Sequence, residues 1–276
     1  MRFRSTLILV GLTSLVIGGL LLAGCSSDDK TTPRSTVSLT QLMLPAATSQ
    51  VNVQLDSMIA RLDAGLTVST IVEDGNAFDI MLGSGLADTV TRDDGWLIIV
   101  LTDLQSSLGA LTVVDSIQYL KNGQTQSTPR DADEVIFRHF YSRTAGDTTV
   151  TSKDLVTQSD LTFAGTSTSQ ATIDGTISSV IHDKTVTTDS TVWQDWDIEA
   201  VVSALRVGKA GQSWGEGCPI TGTAQISVDF TYQKNNSAAV TTSWDFAVMF
   251  TNGAITVNIT SGPDFSSNYQ HTVCNP

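Results

Sequence analysis

Between Thr223 and Thr260 apolar and polar residues alternate almost without exception, and a chain patterned this way has few folds open to it. Ala224, Ile226, Val228, Phe230 and Tyr232 alternate with Thr223, Gln225, Ser227, Asp229, Thr231 and Gln233. A polar turn over Lys234–Ser237 leads to a second apolar row, Val240, Trp244, Phe246, Val248 and Phe250, with Ser243, Asp245 and Thr251 opposite. After Asn252-Gly253 a third row, Ile255, Val257 and Ile259, alternates with Thr256, Asn258 and Thr260. Successive side chains on a strand point to opposite faces, so each row fills one face and leaves the other wet. The stretch predicts a three-stranded antiparallel meander.

The same rhythm extends upstream. Asp74-Gly75, Asp94-Gly95, Asn122-Gly123 and Asp174-Gly175 join Asn252-Gly253 as pairs suited to tight hairpin turns, because both positions tolerate positive φ. Trp96 to Leu101 is a nearly unbroken apolar run, as expected of a strand buried on both faces, and Val135 to Tyr141 is aromatic and β-branched. The middle, Thr144 to Ser190, is rich in Thr, Ser and Asp. Leu161, Phe163, Ile173, Ile177, Val180 and Ile181 tie it to a core, so it reads as long peripheral strands. Asp195 to Val207 fits two patterns, a helix by the spacing of Ile198, Val201, Val202 and Leu205, or a strand by its β-branched content.

One helix precedes the strands. Ser38-Leu39-Thr40-Gln41 has the form of a capping box, and Pro45 either interrupts this first helix or starts a second. Val51, Leu55, Met58, Ile59 and Leu62 then make one apolar stripe, with Arg61 in the last turn and Gly65 as C-cap. Packing of this stripe on the apolar face of a sheet gives the expected fold. It is mainly β, an antiparallel curved sheet or open barrel with an N-terminal helix packed on it; a β-sandwich is the alternative. Residues 38–276 are expected to form a single β-rich domain.

The amino terminus is of another kind. Arg2 and Arg4 precede an apolar run from Leu7 to Ala23, which ends Leu22-Ala23-Gly24-Cys25. A positive start, an apolar core and a small-residue cleavage site mark a secretory signal over residues 1–24. The run is short for a membrane span and is interrupted by Gly11, Thr13, Ser14, Gly18 and Gly19. Leu-Ala-Gly-Cys resembles the lipobox of bacterial lipoproteins. The resemblance covers the leader alone and implies cleavage before Cys25 and diacylglyceryl attachment to its thiol, with palmitate-type acyl chains as the membrane anchor. In that family Asp directly after the acylated cysteine goes with retention in the inner membrane. Ser26 stands there instead, which implies the outer membrane, facing periplasm or exterior. Residues 25–37 then form a lipidated, disordered tether, holding the body ~20 Å from the membrane.

With Cys25 taken by lipid, Cys218 and Cys274 remain in an oxidising compartment and are expected to pair as a disulfide. Closing the loop between them would stabilise the fold by roughly 4 kcal/mol on the chain-entropy model.

Charge narrows the partners. The whole chain carries a formal −13, and loss of Arg2 and Arg4 with the leader makes the rest more negative still. Nucleic acid demands basic clusters and is excluded, as is a polybasic grip on anionic lipid. No catalytic motif stands out: there is no Gly-x-Ser-x-Gly elbow, Ser-x-x-Lys, Walker loop or Gly-x-Gly-x-x-Gly. His139, His182 and His271 are far apart, and His139, alternating with Val135, Phe137 and Tyr141, reads as a structural histidine. Asp131-Ala132-Asp133-Glu134 lacks the spacing of a calcium loop and reads as a solvated acidic turn. Trp193, Trp196 and Trp214 read as core rings, with sugar stacking the sharper alternative. No cofactor, metal or catalytic residue is expected.

Three functions compete. A non-catalytic cell-envelope lipoprotein that binds an envelope protein, a glycan or a surface component ranks first. A carrier of an apolar ligand or lipid between helix and sheet ranks second, and an enzyme with a dispersed site third. The helix stripe has the width to cover the C-terminal apolar rows, so the hollow is expected to be filled by side chains, leaving the polar loops and strand edges to meet the partner.

Overall fold

The computed structural model describes residues 43–56, 89–103, 109–128, 132–147, 151–208, 219–263 and 268–272. Cys25, Cys218 and Cys274, the leader, the tether, the capping box, Met58, Ile59, Leu62, Asp74-Gly75 and Trp214 lie outside the described residues.

The strands in chain order are β1 (Thr89–Asp93), β2 (Trp96–Asp103), β3 (Ala110–Lys121), β4 (Gln124–Gln126), β5 (Glu134–Asp147) and β6 (Thr151–Ala164). There follow β7 (Gln170–Val186), β8 (Thr191–Gly208), β9 (Pro219–Lys234), β10 (Val240–Thr251), β11 (Ala254–Ser261) and β12 (Asn268–Thr272). All join one antiparallel sheet in the order β1-β2-β3-β5-β6-β7-β8-β9-β10-β11-β12, with β4 paired to β3 off that path. Each strand after β4 pairs with its neighbour in sequence, and β1 and β12 are the two edges. The architecture is therefore the expected open antiparallel sheet and not a two-sheet sandwich.

Turn chemistry sets this topology. Asp94-Gly95, Asn122-Gly123 and Asn252-Gly253 each have both φ angles positive, between 45° and 79°. They are the tight turns β1–β2, β3–β4 and β10–β11. Asp174-Gly175 is not a turn: it lies inside β7, where the register with β8 slips between Ile173 and Gly175. β8 answers with its own irregularity between Ser203 and Arg206, and Ala204 has φ +49°. The Asp174 carboxylate accepts the Ala204 N–H at 2.8 Å, locking the two bulges together. These bulges also resolve the ambiguous stretch. Trp196, Ile198, Ala200 and Val202 are buried in strict alternation, and the phase then jumps to Leu205 and Val207. One inserted residue made a strand resemble a helix repeat.

The middle of the chain is a second correction. β6 and β7 are long strands, but they sit at the centre of the sheet, not its periphery. Leu161, Phe163, Ile173, Ile177 and Ile181 face inward and are buried, whereas Val180 points to the other face. Thr is a good strand former, and burial is supplied by the few large residues that alternate with Thr and Ser.

Helix α1, residues 43–56, lies against the inner face. Met43, Ala46, Ala47, Val51 and Leu55 are buried at helical spacing, and Pro45 in the first described turn does not break it. Gln54 of α1 meets Ser179 on β7, while Asn52 and Asp56 meet Tyr269 and His271 on β12. Five strand spacings of ~4.8 Å would put β7 and β12 about 24 Å apart along a flat sheet. One helical turn reaches both because the sheet curls around it. The rows Ile226, Val228, Phe230, Trp244, Phe246, Val248, Phe250, Val257 and Ile259 are all buried in the same cluster as the helix stripe. Trp196 stacks on Phe230 at 3.9 Å, and the Trp244 indole donates to the Pro263 carbonyl at 3.2 Å.

Candidate functional site

Polar side chains gather at two places, one on each face of the same strands. On the inner face Asp115, His139 and Ser159 stand directly opposite one another across β3, β5 and β6. His139 Nδ1 lies 2.6 Å from Asp115 Oδ1, and its ring stacks on Phe137 at 6.2 Å. In the adjoining row, Ser179 Oγ donates to Gln54 Oε1 at 3.2 Å, with Thr157 Oγ1 at 3.3 Å. Asp–His–Ser is the order of a hydrolytic triad, in which the base bonds both the acid and the nucleophile. Here His139 is bonded to the acid, whereas Ser159 Oγ is buried and has no hydrogen-bond partner among the described residues. The carboxylate orients the ring, no described residue bonds the hydroxyl, and the row is a polar, half-buried seam on the inner face.

The other two histidines are paired in the same way. His182 Nδ1 lies 2.9 Å from Asp195 on the outer face, and His271 Nε2 lies 3.0 Å from Asp56 of α1. Burial pushes the Tyr119 and Tyr269 hydroxyls up to about 12. It also raises the Asp183 carboxyl, against the pull of Lys153. Asp133 is part of a turn: its carboxylate accepts the Asn122 N–H at 3.0 Å. Of the tryptophans, Trp196 is core and Trp193 is half-buried.

On the outer face, β3, β5, β6 and β7 carry a depression of about 360 Å³. The register sets Ser116, Arg138, Asp160 and Thr176 in one cross-strand row and Val114, Phe140, Gln158 and Ser178 in the next. Short serines between longer neighbours leave the hollow. Arg138 closes one side, held by Asp160 at 3.1 Å and lying 4.6 Å over the Trp96 ring. The ion pair makes the lining neutral overall. Further along the same face Asp197 faces Asp229 across β8 and β9, and Ser227 donates to Asp245 at 2.8 Å. That half of the face is acidic.

Sequence reasoning singled out His139 but neither Asp115 nor the Arg138–Asp160 pair. The signal was the hairpin itself: β5 and β6 pair symmetrically about position 149, which sets Arg138 against Asp160. Among the described residues no group of three or more His, Cys, Asp or Glu is disposed to hold a metal ion. No protein-family model, curated protein or solved structure matches this chain.

Proposed function

We propose that this chain is a non-catalytic lipoprotein of the cell envelope, anchored by lipid on Cys25, which meets its partner on the outer face of the curled sheet. The observation that carries this reading is the division of polarity across the sheet. The apolar rows are buried against α1 and each other, whereas Asp195, Asp197, Glu199, Asp229 and Asp245 occupy the outward positions of β8, β9 and β10. A strand array that meets lipid directly turns apolar side chains outward, and carboxylates there would be costly. Attachment to a membrane then falls to the acyl chains that the Leu22-Ala23-Gly24-Cys25 ending implies, and two or three chains suffice.

The pairing of Cys218 with Cys274 belongs to the same reading. Pro219, next to Cys218, accepts the Gly253 N–H at 2.9 Å, and Thr272, two residues before Cys274, pairs with Ala254. Pro219 and Thr272 thus both flank the β10–β11 turn.

Mass spectrometry of the amino terminus of protein taken from native membranes tests the anchor. The expected species begins at an acylated Cys25, and Cys25→Ala should leave uncleaved or soluble protein. An unmodified peptide running through Gly24-Cys25 from those membranes would reject the reading.

A further inference from the structure

We propose that the outer-face depression over β3, β5, β6 and β7 is a binding site for a neutral oligosaccharide. The inference rests on the reading of the chain as an envelope binding protein and names the chemistry of its ligand.

Strand placement and side-chain chemistry argue for sugar. The strands that form the site are all interior to the sheet, and both backbone edges of each are consumed by neighbours. An extended peptide gains affinity by adding to a free strand edge, and no such edge lies here. Recognition must therefore come from side chains alone. Those side chains are an amide, Gln158, hydroxyls of Ser116, Thr176 and Ser178, and the Arg138–Asp160 pair, beside the apolar surface of Phe140 and Val114 at the β3–β5 end. Donors and acceptors beside an apolar surface match a pyranose, which presents ring hydroxyls at its rim and C–H groups on its face. The amide and the hydroxyls both donate and accept.

Charge and shape exclude the other classes. Arg138 and Asp160 neutralise one another at 3.1 Å, so no net charge attracts a phosphate or an ammonium group. The overall −13 repels anionic polymers further. A lipid tail needs an enclosed, mostly apolar cavity, whereas this hollow opens to solvent and half its character is polar. Its volume of about 360 Å³ lies at the small end of ligand clefts, enough for one or two sugar rings with the remainder of the chain running over the sheet. Arg138 is pre-set by the Trp96 ring, so little side-chain entropy is lost on binding.

The test uses the full chain purified in detergent micelles and titrated calorimetrically with cellotetraose, maltotetraose and tetra-N-acetylchitotetraose. At least one of the three should bind, and the pattern separates plain glucans from N-acetylated glycans. Gln158→Ala and Phe140→Ala should each weaken that binding by about tenfold or more, one missing contact being worth ~1.4 kcal/mol. Met249→Ser, exposed on the same sheet at β10, should leave it unchanged. Gln158 is exposed, so its replacement leaves the fold intact even where loss of the Phe140 ring does not. Binding of none of the three sugars, or binding indifferent to Gln158→Ala, would overturn the assignment. Either result leaves the anchoring of Cys25 untouched, because that is read from the amino terminus and not from ligand.

Discussion

Tyr119 shows how far one atom can depart from the rule that buried polar groups find partners. Its side chain is among the largest fully buried ones, and its hydroxyl has no hydrogen-bond partner among the described residues. An unmade hydrogen bond of this kind costs about 1–3 kcal/mol. Tyr119→Phe should therefore be neutral or stabilising by ~1 kcal/mol in urea titrations at neutral pH. Its second effect is on alkaline stability. Burial raises the hydroxyl from 10.0 to about 12, with Arg92 pulling weakly the other way. Between those values the unfolded chain gives up the proton and the folded chain keeps it, so stability falls as pH rises through the window. The variant should lose less melting temperature than the parent over that range. Equal losses in both would show that the Tyr119 hydroxyl is not what the fold protects. The Asp115–His139 pair is the counter-example at the same scale, a half-buried ring given its partner by the strand directly opposite.

β7, β8 and β9 are long strands, and a β-bulge bends a strand and raises its local twist. Gly175 on β7 and Gly222 on β9 stand where the backbone of a neighbouring strand leaves no room for a Cβ. A Cβ on Gly222, whose φ is +139°, would lie 2.5 Å from Leu205 Cα, and one on Gly175 would lie 2.1 Å from the Asp160 carbonyl oxygen. Both contacts are with backbone and cannot be relieved by a rotamer change. Gly222→Ala should cost roughly 2–4 kcal/mol or shift the β8–β9 register. Gly123 is the control: its φ is also positive, at +74°, but nothing lies within 4 Å of its Cβ position. Gly123→Ala should cost only ~1 kcal/mol, from the strained turn alone. Urea midpoints of the two variants make the comparison, and equal losses would mean that crowding at the bulge contributes nothing. Register shifts occur at β7–β8, β8–β9 and β10–β11, and bulges of this kind bend a strand and raise its twist.

At the scale of the molecule, the described strands are rolled around α1, and stability depends on holding distant strands to that helix. Hydrogen bonds from α1 reach β7 and β12, the middle and one edge of the sheet. The proposed Cys218–Cys274 bridge would act at that edge by joining the start of β9 to the end of β12. Without reductant neither thiol should react with an alkylating agent, and both should react once the protein is reduced and unfolded. Reduction should lower stability by roughly 4 kcal/mol if the bridge acts through loop entropy. Thiols that alkylate in the oxidised, denatured protein would eliminate the bridge. Polarity is divided at this scale as well, with carboxylates outward on β8, β9 and β10 and a neutral depression over β3 to β7.

The antiparallel sheet and its helix were legible from residues alone because their signals are local. Alternation such as Ile226-Ser227-Val228-Asp229 fixes which face is wet, Asn252-Gly253 fixes a turn, and Val51 with Leu55 fixes a helix stripe. Three things were decided only by tertiary structure. Asp174-Gly175 has the composition of a turn but became a bulge, because the Ala204 N–H on the next strand supplied the partner for its carboxylate. The Thr-rich middle has the composition of an edge but became the centre, since position in a meander follows chain order and not hydrophobicity. The candidate site, finally, joins Ser116, Arg138, Gln158 and Ser178 from four strands. No periodicity along the chain links them; only the register does, and register is set by hydrogen bonds between segments that the sequence holds apart.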